Sequence, residues 1–150
     1  MDKKLKLYIF IFIYTIMIRS KIKTTLREFI LEQLKELEKF STNIDGNRFE
    51  LLKNDKVVGS TMFTRIVKDD KFNNEPHITL WGFLIKEEYR GKGYSKILME
   101  KILEYLIKKV SIVDLQVMEN NTPAVNLYKS FGFKTYYNTG HDVLYMLKRI

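Results

Sequence analysis

The sequence contains no cysteine and only two histidines. The absence of cysteine excludes disulfides, thiolate metal sites and a cysteine nucleophile, and it suits a reducing compartment. Two histidines without cysteine exclude zinc sites made of cysteines or of three histidines, and we expect no metal. We therefore predict a cytoplasmic protein without a metal ion.

Repeats and low-complexity tracts are absent as well, and the chain has only seven glycines and two prolines. It is 45% hydrophobic and 29% charged over 150 residues, the balance of a folded domain with an adequate core. These features exclude a disordered chain and a solenoid. We expect one domain.

An excess of positive charge is present, with a formal net charge of +8. Most of it is local, because six basic side chains against Asp2 contribute +5 before residue 24. The six are Lys3, Lys4, Lys6, Arg19, Lys21 and Lys23. Since the remaining chain is only mildly basic, we expect a solvated lysine-rich surface and no nucleic-acid partner.

Residues 7–18 form an apolar run that is short of the ~20 residues of a membrane-spanning helix. Their isoleucine, phenylalanine and tyrosine content predicts a strand, the first of the domain, or an extension if Met17 is an internal start. A secretory signal and a membrane-surface segment are the alternatives. We divide the chain into an N-terminal segment, 1–22, and a domain, 23–150.

A helix opens this domain. Thr25 and Glu28 have the spacing of a capping box, and apolar residues then recur at helical spacing as far as Phe40. The polar residues 43–47 are typical of a turn and separate this helix from the strands that follow.

The next segment predicts three strands. Residues 48–53 and 57–67 form a hairpin, and the polar residues 68–75 form a loop. The apolar strand 77–85 follows, interrupted by Gly82. A glycine inside a strand marks a bulge or the close approach of a ligand, and we favour the ligand.

The second half alternates helices and strands. A helix runs on from Gly93, and a shorter one begins at Thr122 and ends before Gly132. The strands are 112–118, 133–138 and 142–148. This order predicts an α/β (α+β) domain with a mixed sheet, in which 77–85 and 112–118 are parallel. Ligands of such sheets bind beyond the carboxyl ends of the strands, where residues 89–95 lie.

Residues 89–95 read Tyr-Arg-Gly-Lys-Gly-Tyr-Ser. Backbone NH groups at a helix N-terminus bind phosphate, and Gly91 and Gly93 let the backbone face the anion. Arg90 and Lys92 add positive charge, and Ser95 is small enough for close approach. A flexible connection without a ligand is the alternative for this loop taken alone.

A second motif follows one strand later, with Asn121, Ala124, Leu127-Tyr128 and Gly132-Phe133. Residues 89–95 resemble the R/Q-x-x-G-x-G/A signature of the GCN5-related N-acetyltransferase (GNAT) superfamily, and residues 121–133 resemble its N-x-x-A-x-x-L-Y-x-x-x-G-F motif. Ser95 stands where glycine or alanine is usual. The resemblance implies a mostly antiparallel mixed sheet, a splayed central parallel pair of strands and helices on both faces.

The resemblance also implies roles for residues of this chain. Phe83, Leu84 and Ile85 would bind the pantetheine arm and acyl carbonyl of acetyl-CoA through their backbone. Asn121 would contact the pantetheine, and Tyr128 would reach the thioester sulfur. The pyrophosphate would be held by Arg90, Gly91, Lys92, Gly93, Tyr94, Ser95 and Lys96.

Tyr128 is the candidate catalytic residue. A phenol with a pKa of ~10 stays protonated at neutral pH and can protonate a departing thiolate. The alternative is a tyrosine that only packs in the core, because its helix has a buried face at this spacing.

No side chain stands out as a general base. In the superfamily, bases commonly lie at the positions matching Thr79, Trp81 or Gln116, and none of these can titrate. Thr79 or Gln116 could position a water, through which Glu75 or His77 would receive the proton.

The predicted reaction is transfer of an acetyl group from acetyl-CoA to a primary amine, by direct attack in a ternary complex. Residues 136–146 are similar to the tail of ribosomal-protein alanine-type Nα-acetyltransferases, which implies a protein N-terminus as acceptor. A polyamine or amino sugar acceptor is an alternative, as is an acyl-CoA-binding module without turnover. The sequence leaves open a homodimer.

Overall fold

The structure is a computed structural model that describes residues 7–14, 27–32 and 40–150. The chain divides into two compact units, Met1–Lys39 and Phe40–Ile150. In the first unit, residues 7–14 and 27–32 are helical. Glu28 of the predicted capping box lies in the second of these helical stretches, whereas Thr25 lies outside the described residues.

The strand predicted for residues 7–18 is wrong over the part that the structure describes, because residues 7–14 are helical. The rings of Phe10 and Tyr14 are 5.8 Å apart between centroids, a contact between residues one helical turn apart. Isoleucine and phenylalanine favour strands mainly by packing against neighbouring strands, so composition alone could not decide between the two structures. The boundary at residue 22 stays a prediction.

Within the described ranges, no helix combines the length and the apolar character that crossing a bilayer requires.

The second unit consists of seven strands, two α-helices and two short 3-10 helices, Asp70–Phe72 and Glu87–Tyr89. In chain order the main elements are β1 Phe40–Asp45, β2 Arg48–Lys53, β3 Lys56–Phe63, β4 His77–Ile85, α1 Tyr94–Leu106, β5 Ile112–Met118, α2 Thr122–Ser130, β6 Lys134–Asn138 and β7 Val143–Arg149. The elements predicted from residue 48 onward are therefore confirmed, with bounds that shift by a few residues.

Strand β1 was not predicted. The sequence pattern extended a helix to Phe40 and placed a turn at 43–47, whereas Phe40 begins a strand that pairs with β2 as far as the Asp45–Arg48 pair. Gly46, with φ of +57°, makes the tight turn between them. The turn was thus real but shorter than predicted, because a two-residue connection suffices for an antiparallel hairpin.

The strands form one sheet in the order β1-β2-β3-β4-β5-β7-β6. Only β4 and β5 pair in parallel; the other five pairings are antiparallel. The predicted mixed, mostly antiparallel sheet with a central parallel pair is confirmed. Helices α1 and α2 contribute to one buried core, in which Leu98, Met99 and Ile102 of α1 are fully buried.

Gly59 in β3 sets how closely β3 approaches the end of β4. It pairs with Ile85, and a Cβ atom at this position would lie 2.5 Å from Cδ1 of Ile85 and 2.8 Å from the carbonyl oxygen of Leu84. The second contact is with backbone, which cannot rotate away. Only glycine therefore fits here without moving β4.

Replacing Gly59 with alanine should destabilise the second unit. We expect Gly59→Ala to lower the free energy of unfolding by about 1–3 kcal/mol, the usual cost of overpacking, measured by urea denaturation. Lys56→Ala, at an exposed position of the same strand, is the matched control. Equal stability of the two variants would contradict this packing.

Candidate active site

The central parallel strands separate before β4 ends. Their pairing runs from His77–Ile112 to Leu80–Leu115, and β4 then continues to Ile85. Gly82 has φ of +61°, and the β3–β4 register shifts opposite this point, between Ser60 and Met62. Such an irregularity bends a strand and redirects its backbone groups. The backbone of residues 81–85 therefore borders an opening between β4 and β5.

This opening is a cavity of about 280 Å³, which we call the cleft. Its lining comes from β4, β5 and α2: Leu80, Trp81, Gly82, Phe83, Leu115, Gln116, Val117, Met118, Asn121, Ala124 and Tyr128. The sequence predicts that a ligand approaches Gly82, and in the structure Gly82 lines the cleft.

A second cavity of about 470 Å³ lies beside the cleft, and we call it the loop cavity. The two share Phe83, Asn121 and Ala124, so one extended ligand could occupy both. Nine predicted cofactor-binding residues line the loop cavity: Phe83, Leu84, Ile85, Arg90, Gly91, Gly93, Tyr94, Ser95 and Asn121. Tyr89, Pro123, Ala124 and Leu127 complete the lining.

The start of α1 suits an anion. Gly91 and Gly93 have φ of +72° and +79°, conformations that side chains rarely adopt. Gly93 is the N-cap and contributes no capping side chain, and the first turn of α1, which lies wholly in the described range, carries no acidic residue. The backbone NH of Lys96 donates a hydrogen bond of 3.2 Å to the carbonyl oxygen of Gly93. The amide groups before Lys96, together with the positive helix dipole, are therefore the part of this turn that suits phosphate oxygens.

The basic residues of this loop divide into two groups. Arg90 lines the loop cavity, and its Nε donates a hydrogen bond of 2.9 Å to the carbonyl oxygen of Ile85, which fastens the loop to the end of β4. Lys92 and Lys96 are exposed and do not contribute to the cavity lining. The Nζ atom of Lys92 lies 3.4 Å from the carbonyl oxygen of Glu88.

Lys53 is a basic residue near this loop that the sequence did not indicate. Its Nζ donates a hydrogen bond of 2.7 Å to the hydroxyl of Tyr94, the first residue of α1. The two residues are 41 positions apart, so only the tertiary structure brings them together.

Asn121 has a structural role as well as a predicted binding role. Its side chain caps α2 by accepting a hydrogen bond of 3.3 Å from the backbone NH of Ala124, and Pro123 in the first turn favours this helix start. The side-chain oxygen is thereby held at the junction of the two cavities, and the amide nitrogen is the part that could reach a ligand.

Tyr128 is buried in the core and also lines the cleft. Its ring makes edge contacts with Phe83, at 6.0 Å between centroids, and tilted contacts with Phe133, at 5.9 Å. Burial raises the pKa of the Tyr128 hydroxyl above its ordinary value, so the proton stays on the oxygen at neutral and mildly alkaline pH. The packing and proton-donor interpretations of Tyr128 are compatible.

Glu75 and His77, the two candidate proton acceptors, lie at or just before the start of β4, away from the cleft. His77 begins the strand, four residues before Trp81 in the cleft, a separation of roughly 13 Å along a strand. Glu75 is engaged by Arg149, with nitrogen–oxygen distances of 2.9 and 2.8 Å. The structure therefore does not bring Glu75 or His77 to the cleft.

Asp114 is a titratable residue that the sequence reasoning missed. Its side chain is only 1% exposed, and it pairs with Thr79 across the parallel strands, one pair before they separate. Its oxygens accept hydrogen bonds from the hydroxyls of Thr79, at 2.7 Å, and Tyr136, at 3.4 Å, and from Nζ of Lys71, at 2.5 Å. The sequence feature that could have identified Asp114 is its position as the single carboxylate within the otherwise mostly apolar strand Ile112–Met118.

Both titratable side chains that donate hydrogen bonds to Asp114, those of Lys71 and Tyr136, keep their protons. Burial lowers the pKa of Lys71, but the interactions with Asp114 and, to a smaller extent, with Tyr136 together outweigh burial, so the pKa of Lys71 is raised. Burial is the main cause that raises the pKa of Tyr136, with Lys71 acting in the opposite direction. Lys71 is therefore a cation and Tyr136 a neutral hydrogen-bond donor. Among the described residues, no cluster of histidine, aspartate or glutamate side chains could hold a metal ion.

Comparisons with known proteins give three informative relatives. The spermine/spermidine N(1)-acetyltransferase of Bacillus subtilis strain 168 is 32% identical over 80 residues, 52% of this chain and 53% of that protein. The N-alpha-acetyltransferase of Sulfurisphaera tokodaii is 28% identical over 134 residues, 79% of this chain and 74% of that protein. The crystal structure of PH1933 from Pyrococcus horikoshii is 27% identical with a TM-score of 0.58, covering 83% of this chain and 73% of that one.

The chain spans about half the length of the Bacillus relative, so that likeness concerns a part of each protein. The model of the Acetyltransferase (GNAT) family matches residues 12–133, a range that includes the loop 89–95, the cleft and Tyr128. The chain therefore belongs to the Acetyltransferase (GNAT) family.

Proposed function

We propose that this protein transfers an acetyl group from acetyl-CoA to a primary amine. The observation that carries the proposal is the junction of the two cavities: the phosphate-binding geometry of the loop cavity leads directly to a cleft lined by Tyr128. The family match and the names of the relatives support acetyl transfer.

The order of the two cavities favours one orientation of the donor. Its pyrophosphate would bind at the start of α1, and its pantetheine arm would lie along residues 81–85, whose backbone extends beyond the last β4–β5 pair. An extended chain there can take up the hydrogen bonds that a strand would otherwise make. The thioester would then reach Tyr128, and backbone NH groups of β4 would stabilise the carbonyl oxygen.

The reaction needs no covalent enzyme intermediate. The neutral amine nitrogen attacks the carbonyl carbon, the carbon–sulfur bond breaks, and the thiolate takes the proton of Tyr128. The proton that the amine loses passes through solvent and restores the Tyr128 hydroxyl, so the products are an N-acetylated amine and free coenzyme A. Tyr128 is the proposed general acid.

The acceptor is a primary amine of one of two classes. The sequence similarity of residues 136–146 supports a protein N-terminus, whereas the Bacillus relative supports a polyamine. Trp81, Gln116 and Met118 are exposed along the cleft, and this surface is where either acceptor would approach.

Acetyl-CoA should bind and be consumed. At about a hundredfold excess over Kd, acetyl-CoA should raise Tm by about 5 °C or more, and addition of a suitable amine should release free thiol. Absence of both effects with N-terminal peptides, lysine peptides, polyamines and amino sugars would reject the proposed function. Stabilisation without thiol release would instead indicate a binding module without turnover.

Removal of the Tyr128 hydroxyl should affect chemistry more than donor binding. We expect Tyr128→Phe to lower kcat by about 100-fold or more, as for loss of a general acid, with the Kd of acetyl-CoA changed by less than about threefold. The control is Tyr105→Phe, because Tyr105 is a partly buried tyrosine of α1 that packs against Phe49. An unchanged kcat in Tyr128→Phe would show that Tyr128 only packs in the core.

A side chain at Gly93 should weaken donor binding. Alanine at φ of +79° costs about 1–2 kcal/mol or shifts the loop, so Gly93→Ala should raise the Kd of acetyl-CoA by about tenfold. Gly140→Ala is a closely matched control, because Gly140 has φ of +73° and, like Gly93, has no described atom within 4 Å of an added Cβ. Similar Kd values for the two variants would contradict the predicted role of the loop.

A further inference from the structure

Lys71 occupies a site that is built for an alkylammonium group. Its Nζ lies 2.5 Å from Asp114 and sits over two aromatic rings, 5.0 Å from the centroid of Phe72 and 5.9 Å from that of Tyr136. A buried carboxylate beside aromatic faces is the environment that binds organic cations. We call Asp114, Thr79, Phe72 and Tyr136 the ammonium site.

Thr79, Asp114 and Tyr136 lie on strands, whereas Phe72 follows Lys71 in the 3-10 helix Asp70–Phe72. Thr79 and Asp114 are paired residues of the parallel strands. Phe72 is buried between His77, at 4.8 Å, and Tyr136, at 5.7 Å, between ring centroids. Lys71 itself belongs to the short 3-10 helix Asp70–Phe72, and its side chain is 40% exposed. The ring contacts hold Phe72 in place, while the partly exposed side chain of Lys71 can turn towards solvent.

The ammonium site lies next to the cleft. Side chains alternate along a strand, so Asp114 and Gln116 point to the same face of the sheet, and Gln116 lines the cleft. Two residues of strand separate them by about 7 Å. Amino groups joined by three or four methylenes are separated by roughly 5 to 6 Å, so a diamine with one nitrogen on Asp114 would place the other towards Gln116.

We propose that the ammonium site binds the second ammonium group of a diamine acceptor, which displaces Lys71 while the first amine enters the cleft. This inference rests on the proposed acetyl transfer and deepens it, because it names aliphatic diamines and polyamines as the acceptor class. The exchange replaces one ammonium by another on Asp114, so the buried carboxylate keeps a cationic partner throughout. A monoamine has only one nitrogen, so it cannot occupy the ammonium site and react at the same time.

The first test follows binding without turnover. Lys71→Ala removes the native occupant and leaves the Asp114 carboxylate without its cation, so putrescine or propylammonium should raise the Tm of this variant by about 3 °C. Lys101→Ala removes a lysine that pairs with Glu104 on α1 and is the matched control, for which we expect no such shift. Equal shifts in the two variants would overturn the inference.

The second test follows turnover and uses the unmodified protein as well. Putrescine and butylamine carry the same carbon chain, and only putrescine has a second amine. In thiol-release assays the unmodified protein should show a KM for putrescine about tenfold lower than for butylamine, since a hydrogen bond to a charged group is worth about this factor. Equal KM values, or turnover confined to N-terminal peptides, would overturn the inference.

Variants of the ammonium site should change this ratio in opposite directions. Lys71→Ala should raise the ratio of kcat/KM for putrescine to that for butylamine several-fold, because the competing ammonium is gone. Asp114→Asn should lower the ratio to about one, and Tm reports whether this variant is folded. An unchanged ratio in both variants would count against the site. Thiol release from none of the amines, N-terminal peptides, lysine peptides and amino sugars included, with the Tm rescue of Lys71→Ala intact, would reject the proposed function and leave the ammonium site standing.

Discussion

The separation of β4 from β5 is the constraint on which the rest of the structure depends. The two strands pair in parallel only as far as Leu80 and Leu115. Gly82, with its positive φ, and the register shift against β3 redirect the remainder of β4. Backbone groups that would complete a continuous sheet instead border a cleft. The cost of leaving them without a strand partner is offset when a ligand takes the hydrogen bonds.

The last two residue pairs before this separation lie on opposite faces of the sheet and differ in character. Leu80 and Leu115 enter the core under α1 and α2, whereas Thr79 and Asp114 share a hydrogen bond on the other face. Lys71 and Tyr136 complete the coordination of Asp114. A buried carboxylate without a cationic partner would be costly, so the loop that carries Lys71 and the strand that carries Tyr136 are both tied to this point of the sheet.

The elements of the second unit were predictable where sequence patterns are local. Alternation and turn residues identified β2 to β5, and helical spacing with Pro123 and Gly132 identified α2. The secondary-structure prediction was wrong where contacts with distant parts of the chain decide between helix and strand. Residues 7–14 have strand-like composition but are helical, and the segment from Phe40 is a strand although it continues a helical pattern. In both cases composition and spacing were compatible with two structures.

By itself, the sequence determined the loop 89–95 and the motif at 121–133, because glycine conformation and helix capping act over a few residues. It could therefore indicate the donor side of the site. The surroundings of Asp114, where we propose that the acceptor binds, were decided by the tertiary structure alone: Asp114 meets Lys71 from 43 positions away and Tyr136 from 22 positions away. Contacts between side chains so distant in sequence follow from strand order and register, and no local pattern encodes them.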